Sequence, residues 1–455
     1  MKYIQRPTRY NYFLFIFIFI FCNQLFGQDK HKNDLPNFII LFCDDLGYGD
    51  IGSYGHPTIK TPNIDKMAGE GMKFTSFYTG SPACTASRYS LLTGRFPVMS
   101  GFGWVLYPKS EKGIHPKEFT MAEALKEKGY TTGMFGKWHL GSTKKEYLPL
   151  QNGFDEYIGF PYSNDMIPPK WPSIPLLSGN DTLELDPDQR KLTGLYTQKA
   201  IEFIQQNKKK PFFVYMPYAM PHVPLHPGEQ FAGKSQRGKY GDVVEEIDWS
   251  VGEIIKAVKK AGVAENTLIW FTSDNGPWLI KNDEGGSAGL LRDGKGSTWE
   301  GGMRVPSVAF WPGKIQPNSV NSQLTSTLDL YVTFLGLAGI NMPTDRIIDG
   351  KDISGYLFPN KKMVVAPKSF FYYGFNQEIF AVRKGSWKLH IKTYSQLKID
   401  YFNGEIPLLF NVDTDPSEKY NVAAKHPEIV KELLEEIEKQ NNRVAAKPDY
   451  FTEMK

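Results

Sequence analysis

The chain is expected to be an α/β protein. A large domain built on a mostly parallel sheet flanked by helices should be followed by a small C-terminal domain with an antiparallel sheet and a covering helix. Three patterns carry that expectation. Apolar runs at 36–45, 130–135, 211–218 and 267–272 stop at or just before charged, amide or imidazole residues, as buried parallel strands do when they end at a functional edge. Between them lie stretches with apolar residues three and four apart, the spacing of helices that cover a sheet. Beyond Phe370 the runs shorten to FFYYG, EIFAVRKG, WKLHIKT and PLLFNV, and a charged amphipathic stretch follows from Pro427 to Asn441.

At 455 residues and 41% hydrophobic content the chain can fill both cores. Residues 1–27 stand apart: Lys2, Arg6 and Arg9 precede the apolar run Tyr12 to Phe21, and a short polar stretch ends at Gly27. That is the pattern of an export signal, with an apolar run too short to span a membrane comfortably, so the mature chain is expected to be periplasmic or secreted without stable membrane insertion. Domain limits are then 28–345 for the large domain and 346–455 for the small one. The formal net charge is +4, and removing residues 1–27 takes away three basic and no acidic residues, leaving +1. A charge so small points to no nucleic acid or other polyanionic partner. Of three cysteines only Cys43 and Cys84 remain after residue 27, too few for a disulfide framework if one is catalytic.

In chain order, PNFIILFCDD reads as a buried strand ending in Asp44 and Asp45, with LGYGD turning the chain away. Ligand sites of open α/β sheets lie outside the carboxyl ends of the strands, so both carboxylates fall where a site belongs. Pro62 near a first turn, with Gly69 and Gly71 closing it, marks a short helix. In SPACTASRYSLLTGRFP, Pro82 stops anything helical before it, Ala86, Tyr89, Leu91 and Leu92 carry the helical spacing, and Gly94 is placed for a left-handed cap. Cys84 therefore lies at or near a helix N-terminus, where free N–H groups and the dipole favour anions, with Arg88 one turn on. Alone, Cys-x-x-x-Arg is also the pattern of a half-buried structural cysteine. Thr120 to Lys128 reads as a helix and Tyr130 to Phe135 as a strand running into GKWHLG. Lys137 and His139, two apart, would share a face if that chain stayed extended. Residues 164–192, with Pro168, Pro169, Trp171, Pro172 and Pro175, read as an irregular surface excursion of the kind that carries specificity. Leu195 to Gln206 and Tyr240 to Ala261 are helical. The strand PFFVYMPY leads to His222 and, four residues later, His226; TLIWFT leads to Asp274 and Asn275, and a glycine-rich stretch leads to Lys295. Leu324 to Ala338 closes the large domain as a helix.

Taken together, CTASR followed by LLTGR, DDLGYGD after its strand, GKWHLG, the His-x-Pro at His222, SDNG and GKG with WEGG resemble the motifs of the type I, formylglycine-dependent sulfatases. The resemblance is to the arylsulfatase A-like members of the alkaline phosphatase superfamily and runs from about Pro36 to the C-terminal end. One position departs: the commoner signature has proline where this chain has Ala86, which bears on which sulfatase-maturing enzyme acts. The resemblance implies that Cys84 is oxidised to formylglycine (3-oxoalanine), whose hydrate attacks sulfur to give a covalent sulfated intermediate. It implies that Arg88 holds the hydrate, Lys137, Lys295 and Ser163 bind the sulfate, Asp274 acts as a base, His222 protonates the leaving alcohol and His139 helps expel sulfate. His226 stays the competitor of His222. The metal ligands it implies are Asp44, Asp45, Asp274 and Asn275, with residue 84 completing the shell. Oxygen donors alone suit Ca²⁺ or Mg²⁺ rather than zinc, and the family implies calcium. Three gathered carboxylates would repel one another without a cation.

The expected function is hydrolysis of sulfate esters outside the cytoplasm, with sulfated carbohydrate from algal polysaccharide or glycosaminoglycan as substrate. Two alternatives belong to other classes: a phosphonate or phosphate ester hydrolase of the same superfamily, and a non-catalytic glycan-binding protein in which Ala86 leaves Cys84 unmatured.

Overall fold

The computed structural model describes residues 1–3, 35–358 and 369–445, so the export signal expected over 1–27 lies almost wholly outside the described residues. Contacts below lie within the body that begins at Leu35. Its strands are β1 (Asn37–Cys43), β2 (Met72–Phe74), β3 (Phe77–Tyr78), β4 (Thr131–Phe135), β5 (Glu156–Gly159), β6 (Pro175–Ser178), β7 (Asp181–Leu185) and β8 (Phe212–Pro217). There follow β9 (Thr267–Ser273), β10 (Ser307–Phe310), β11 (Ser319–Asn321), β12 (Thr325–Ser326), β13 (Phe370–Tyr373), β14 (Ile379–Lys384), β15 (Trp387–His390) and β16 (Leu408–Asn411). Ten of them form one sheet in the order β11-β2-β10-β9-β1-β8-β4-β5-β6-β7.

The five central strands β9, β1, β8, β4 and β5 are parallel, and antiparallel pairs extend the sheet on both sides. Alternation along β1 explains why this run is apolar throughout. Phe38, Ile40 and Phe42 enter the core under helices Cys84–Thr93, Met121–Glu127 and Thr327–Leu337, whereas Ile39, Leu41 and Cys43 enter the opposite core under Pro62–Gly69, Leu192–Asn207 and Gly238–Lys260. With both faces covered, only the strand ends can present polar groups.

The excursion expected over 164–192 is more ordered than its prolines suggest. It contains the β6–β7 hairpin, which lengthens the sheet. All five residues of β7 are exposed, so no apolar alternation advertised the strand; Gly179, at φ +63°, turns the chain between the two strands. The C-terminal strands form the antiparallel sheet β13-β14-β15-β16, and Leu433 and Ile437 of helix Pro427–Ala445 pack into the same core as Tyr78, Phe96 and Leu328 from before residue 340. Among the described residues, no helix is long and apolar enough to cross a membrane.

Candidate active site

Register places the first carboxylates. Cys43 pairs with Ser273 across β1 and β9, so Asp44 and Asp274 leave the sheet side by side, with the Asp274 N–H bonded to the Cys43 carbonyl at 3.0 Å. Lys137 leaves β4, which is separated from β1 by β8, through Gly136. That glycine has φ +139°, and a Cβ there would lie 1.9 Å from the Pro217 carbonyl. The chain does not stay extended after it: His139 has φ +63°, so Lys137 and His139 reach the site by a turn and not by sharing a strand face. Asp45, at φ +67°, is the other site residue in the left-handed region, an energetically unfavourable backbone that the surrounding contacts hold in place.

The predicted residues come together. Lys137 Nζ donates to Asp44 at 2.5 Å and to Ser163 Oγ at 3.1 Å. Arg88 donates to Asp274 at 2.8 Å and lies 3.5 Å from Asp44. Lys295 lies 2.8 Å from Asp45, which also accepts from the Asn275 amide at 2.8 Å and has His222 Nε2 at 3.6 Å. Ligand atoms of Asp44, Asp45, Cys84 and His222 all lie within 4.8 Å of one another. His226 is half-buried elsewhere, among Lys239, Asp188 and Arg190.

Cys84 opens helix Cys84–Thr93 and is buried. Ala83 has no side-chain acceptor to cap that helix, so its first N–H groups are left for an anion, while Gly94 closes it at φ +68° as expected. Burial pushes the Cys84 thiol well up, with Lys137 and Lys295 opposing. An unmodified cysteine here is a poor thiolate despite its position at a helix start.

Burial works to raise Asp44, but Lys137, His222 and Arg88 outweigh it and hold its carboxyl well below the usual range. Asp274 is pushed up by burial and by the charge on Asp44. Three side-chain cations, Arg88, Lys137 and Lys295, thus meet the three carboxylates, and repulsion among the acids alone does not demand a metal. The stronger argument is donor chemistry: Asp44 Oδ1 and Asn275 Oδ1 are buried acceptors without hydrogen-bond partners, in a cluster of hard oxygens. The residues present fit a divalent cation.

The histidines are in complementary states. His222 Nδ1 is 2.5 Å from the Val223 carbonyl, which makes that nitrogen the N–H donor and leaves Nε2 facing Asp45. His139 Nε2 is 2.9 Å from the Leu106 carbonyl, and its buried Nδ1 has no partner. Burial, helped by Lys295 for His222 and by Lys137 for His139, lowers both.

A second polar cluster, absent from the sequence reading, holds the loop that carries Lys295. Fully buried Lys388 of β15 donates to the Thr298 carbonyl at 2.9 Å and lies 3.0 Å from both Glu300 and Glu418. His390 lies 2.7 Å from Glu418, which accepts from the Glu300 N–H at 2.7 Å. The same loop bonds Gly296 N–H to the Pro82 carbonyl at 2.9 Å, beside the nucleophile segment. Its closeness to the Asp-Asn-Gly turn leaves no room for a side chain: a Cβ on Gly276 would lie 1.8 Å from the Gly301 carbonyl. The available signal was Lys388 and His390 two apart in WKLH, titratable residues on one face of a strand.

Comparison with known proteins agrees with this architecture. Residues 36–340 match the family model described as sulfatase, and residues 366–455 match that of the C-terminal region of aryl-sulfatase. Human arylsulfatase A is 40% identical over 441 residues, covering 88% of this chain and 86% of that protein. Rat N-acetylgalactosamine-6-sulfatase is 39% identical over 428 residues, 85% and 81% of the two. The solved structure of Ps i-CgsB in complex with k-i-k-neocarrahexaose superposes with a TM-score of 0.77 at 30% identity, covering 91% of this chain and 94% of that one.

Proposed function

The chain belongs to the sulfatase family and is a sulfuric ester hydrolase, and on that premise we propose that it is an exported, calcium-dependent enzyme that removes sulfate from carbohydrate through a formylglycine at position 84. The observation that carries this reading is the environment of Cys84: an uncapped helix start beside Lys137 and Lys295, over the Asp44, Asp45, Asp274 and Asn275 oxygens. A buried thiol whose pKa is raised is ill suited to attack, whereas oxidation by a sulfatase-maturing enzyme supplies an aldehyde hydrate with a hydroxyl nucleophile at that place.

Sulfate esters react slowly because their anionic oxygens repel nucleophiles. Lys137, Lys295 and the helix N–H groups lower that barrier by meeting the charge with fixed donors in a site largely closed to water. Ser163, bonded to Lys137, adds a hydroxyl toward the same anion. Asp44, Asp45, Asp274 and Asn275, together with residue 84, would hold calcium, which would supply Lewis-acid polarisation on the order of several kcal/mol. Arg88, fixed by Asp274 and by the Lys137 carbonyl, orients residue 84, and Asp274 takes its proton. With Nδ1–H committed to Val223, Nε2 is the one nitrogen of His222 that can pass a proton to the departing alcohol, and it does so from the doubly protonated ring. His139, with Nε2 committed to Leu106, keeps the Nδ1 lone pair as the base for releasing sulfate.

Export is supported by the basic and apolar pattern of residues 1–27. Carbohydrate as substrate is supported by the relatives, one acting on an N-acetylgalactosamine sulfate and one bound to a neocarrahexaose. The deciding experiment is mass spectrometry of the peptide containing residue 84, taken from protein with measured sulfatase activity. Formylglycine is expected there, and active preparations that carry only cysteine would overturn the reading.

A further inference from the structure

Two aromatic–lysine pairs flank the site, and neither has a role in the chemistry above. Trp278 lies on the His222 side, its ring 5.2 Å from the imidazole and 4.4 Å from Lys295 Nζ. Lys281 places its ammonium 4.3 Å from the same ring. This flank is held firmly: the Trp278 indole donates to Gln396 at 2.7 Å, and Arg237 donates to the Asp283 and Gly285 carbonyls just beyond Lys281.

The second pair lies where two site-anchored segments meet. Tyr107 follows Leu106, whose carbonyl fixes His139, while the Met166 N–H bonds to the Ser163 carbonyl and the Trp171 N–H to that of Ile167, carrying the chain in two turns from Ser163 to Trp171. Tyr107 and Trp171 stack with centroids 5.1 Å apart and planes at 13°, and Lys170 places its ammonium 5.3 Å from the Trp171 ring. Tyr107 is 44% exposed. Neither Lys170 nor Lys281 has a carboxylate partner among the described residues.

An aromatic face attracts the polarised C–H bonds of a pyranose ring, and an unpaired ammonium beside it attracts an anionic substituent on that ring. The geometry points to these two pairs as subsites for a sugar chain that carries a second anionic group, sulfate or carboxylate, besides the ester that is cleaved. The inference rests on the sulfatase reading and adds the class of substrate: an anionic oligosaccharide in preference to a singly sulfated neutral sugar.

The test compares an aryl sulfate, a singly sulfated neutral disaccharide, its disulfated counterpart and one bearing a uronate carboxylate, all with the formylglycine-bearing enzyme. Expected is a preference for a doubly anionic disaccharide of about tenfold in kcat/KM, expressed in KM and largely lost in about 1 M salt, where the screening length is ~3 Å. The disulfated and uronate substrates separate the two sources of charge. Lys170→Ala and Lys281→Ala should each cut that preference about three- to fivefold, the size of an exposed ionic contact. Trp171→Ala should lower turnover of every disaccharide relative to aryl sulfate. No preference in the unaltered enzyme, or lysine variants that lose aryl sulfate turnover as strongly as that of the charged disaccharides, would overturn the inference. Failure to turn over aryl sulfate would instead strike the sulfatase reading. Titration of the disulfated disaccharide into Cys84→Ala protein, with and without both lysine substitutions, tests the subsites without chemistry: weaker binding in the lysine variants is expected, and equal affinity overturns them.

Discussion

Replacing His222 by alanine tests the proposed division of labour at the site most directly. The side chain is buried, its Nδ1–H is tied to the Val223 carbonyl and its Nε2 faces Asp45 at 3.6 Å, so its single free nitrogen is the one aimed at the reacting groups. Trp278 stands 5.2 Å away and crowds the space from which water could substitute as a proton source. Loss of a positioned general acid costs about 10²–10⁴-fold, or roughly 3–5 kcal/mol of barrier. The loss should depend on the leaving group. A sugar alkoxide needs its proton as the S–O bond breaks, whereas an aryl oxide of low pKa departs largely unaided. His222→Ala should therefore show the full loss on a sugar sulfate and a much smaller one on an activated aryl sulfate, read as kcat/KM for both. His139→Ala, by contrast, should slow both substrates alike, because its step follows departure of the alcohol. His226→Ala should behave as the unaltered enzyme, since that ring lies among Lys239, Asp188 and Arg190. Equal losses on both substrates in His222→Ala, or a larger effect from His226→Ala, would refute the assignment.

Exhaustive chelation should remove activity and lower the unfolding temperature together, with calcium restoring both, because a ligand bound only to the folded state stabilises by mass action, ~2.7 kcal/mol at a hundredfold excess over Kd; unchanged activity in protein shown by elemental analysis to be metal-free would refute the metal site. Lys388→Met should cost about 3–5 kcal/mol in denaturant unfolding, since it leaves Glu300 and Glu418 buried without that cation. A loss below about 1 kcal/mol would mean that the cluster behaves as an exposed pair does. Glu246 is buried with the Gly228 N–H as its partner, and burial raises it from 4.5 to about 7. The unfolded chain gives up this proton first as pH rises, so the folded state loses stability between those two values and carries the full penalty, about 3 kcal/mol, above the upper one. Glu246→Gln should flatten that part of the pH–stability curve and stabilise the protein at pH above about 7, and an unchanged slope would show that the carboxyl is not buried as described.

Much of the site was legible because its residues follow strands whose apolar runs are continuous. Asp44, Lys137, His222 and Asp274 each come just after a run buried on both faces, and a strand buried on both faces can expose polar groups only at its end. Local chemistry likewise set the helix at Cys84, with Pro82 before it and Gly94 capping it. Tertiary structure decided what depends on partners distant in the chain. The His-x-Pro resemblance favoured His222 over its neighbour His226, and the packing of the segment after β8 is what brings His222 to Asp45. The carboxylates were expected to need a metal to relieve their repulsion, yet three side-chain cations from three other segments already neutralise them, a balance that no local spacing reveals. The β6–β7 hairpin escaped notice because an exposed edge strand has no buried face to impose alternation. The loop bearing Lys295 is held by Lys388, His390 and Glu418, nearly a hundred or more residues further on. Burying a charge is tolerable only when compensating groups arrive with it, and where they arrive from is settled by the fold as a whole.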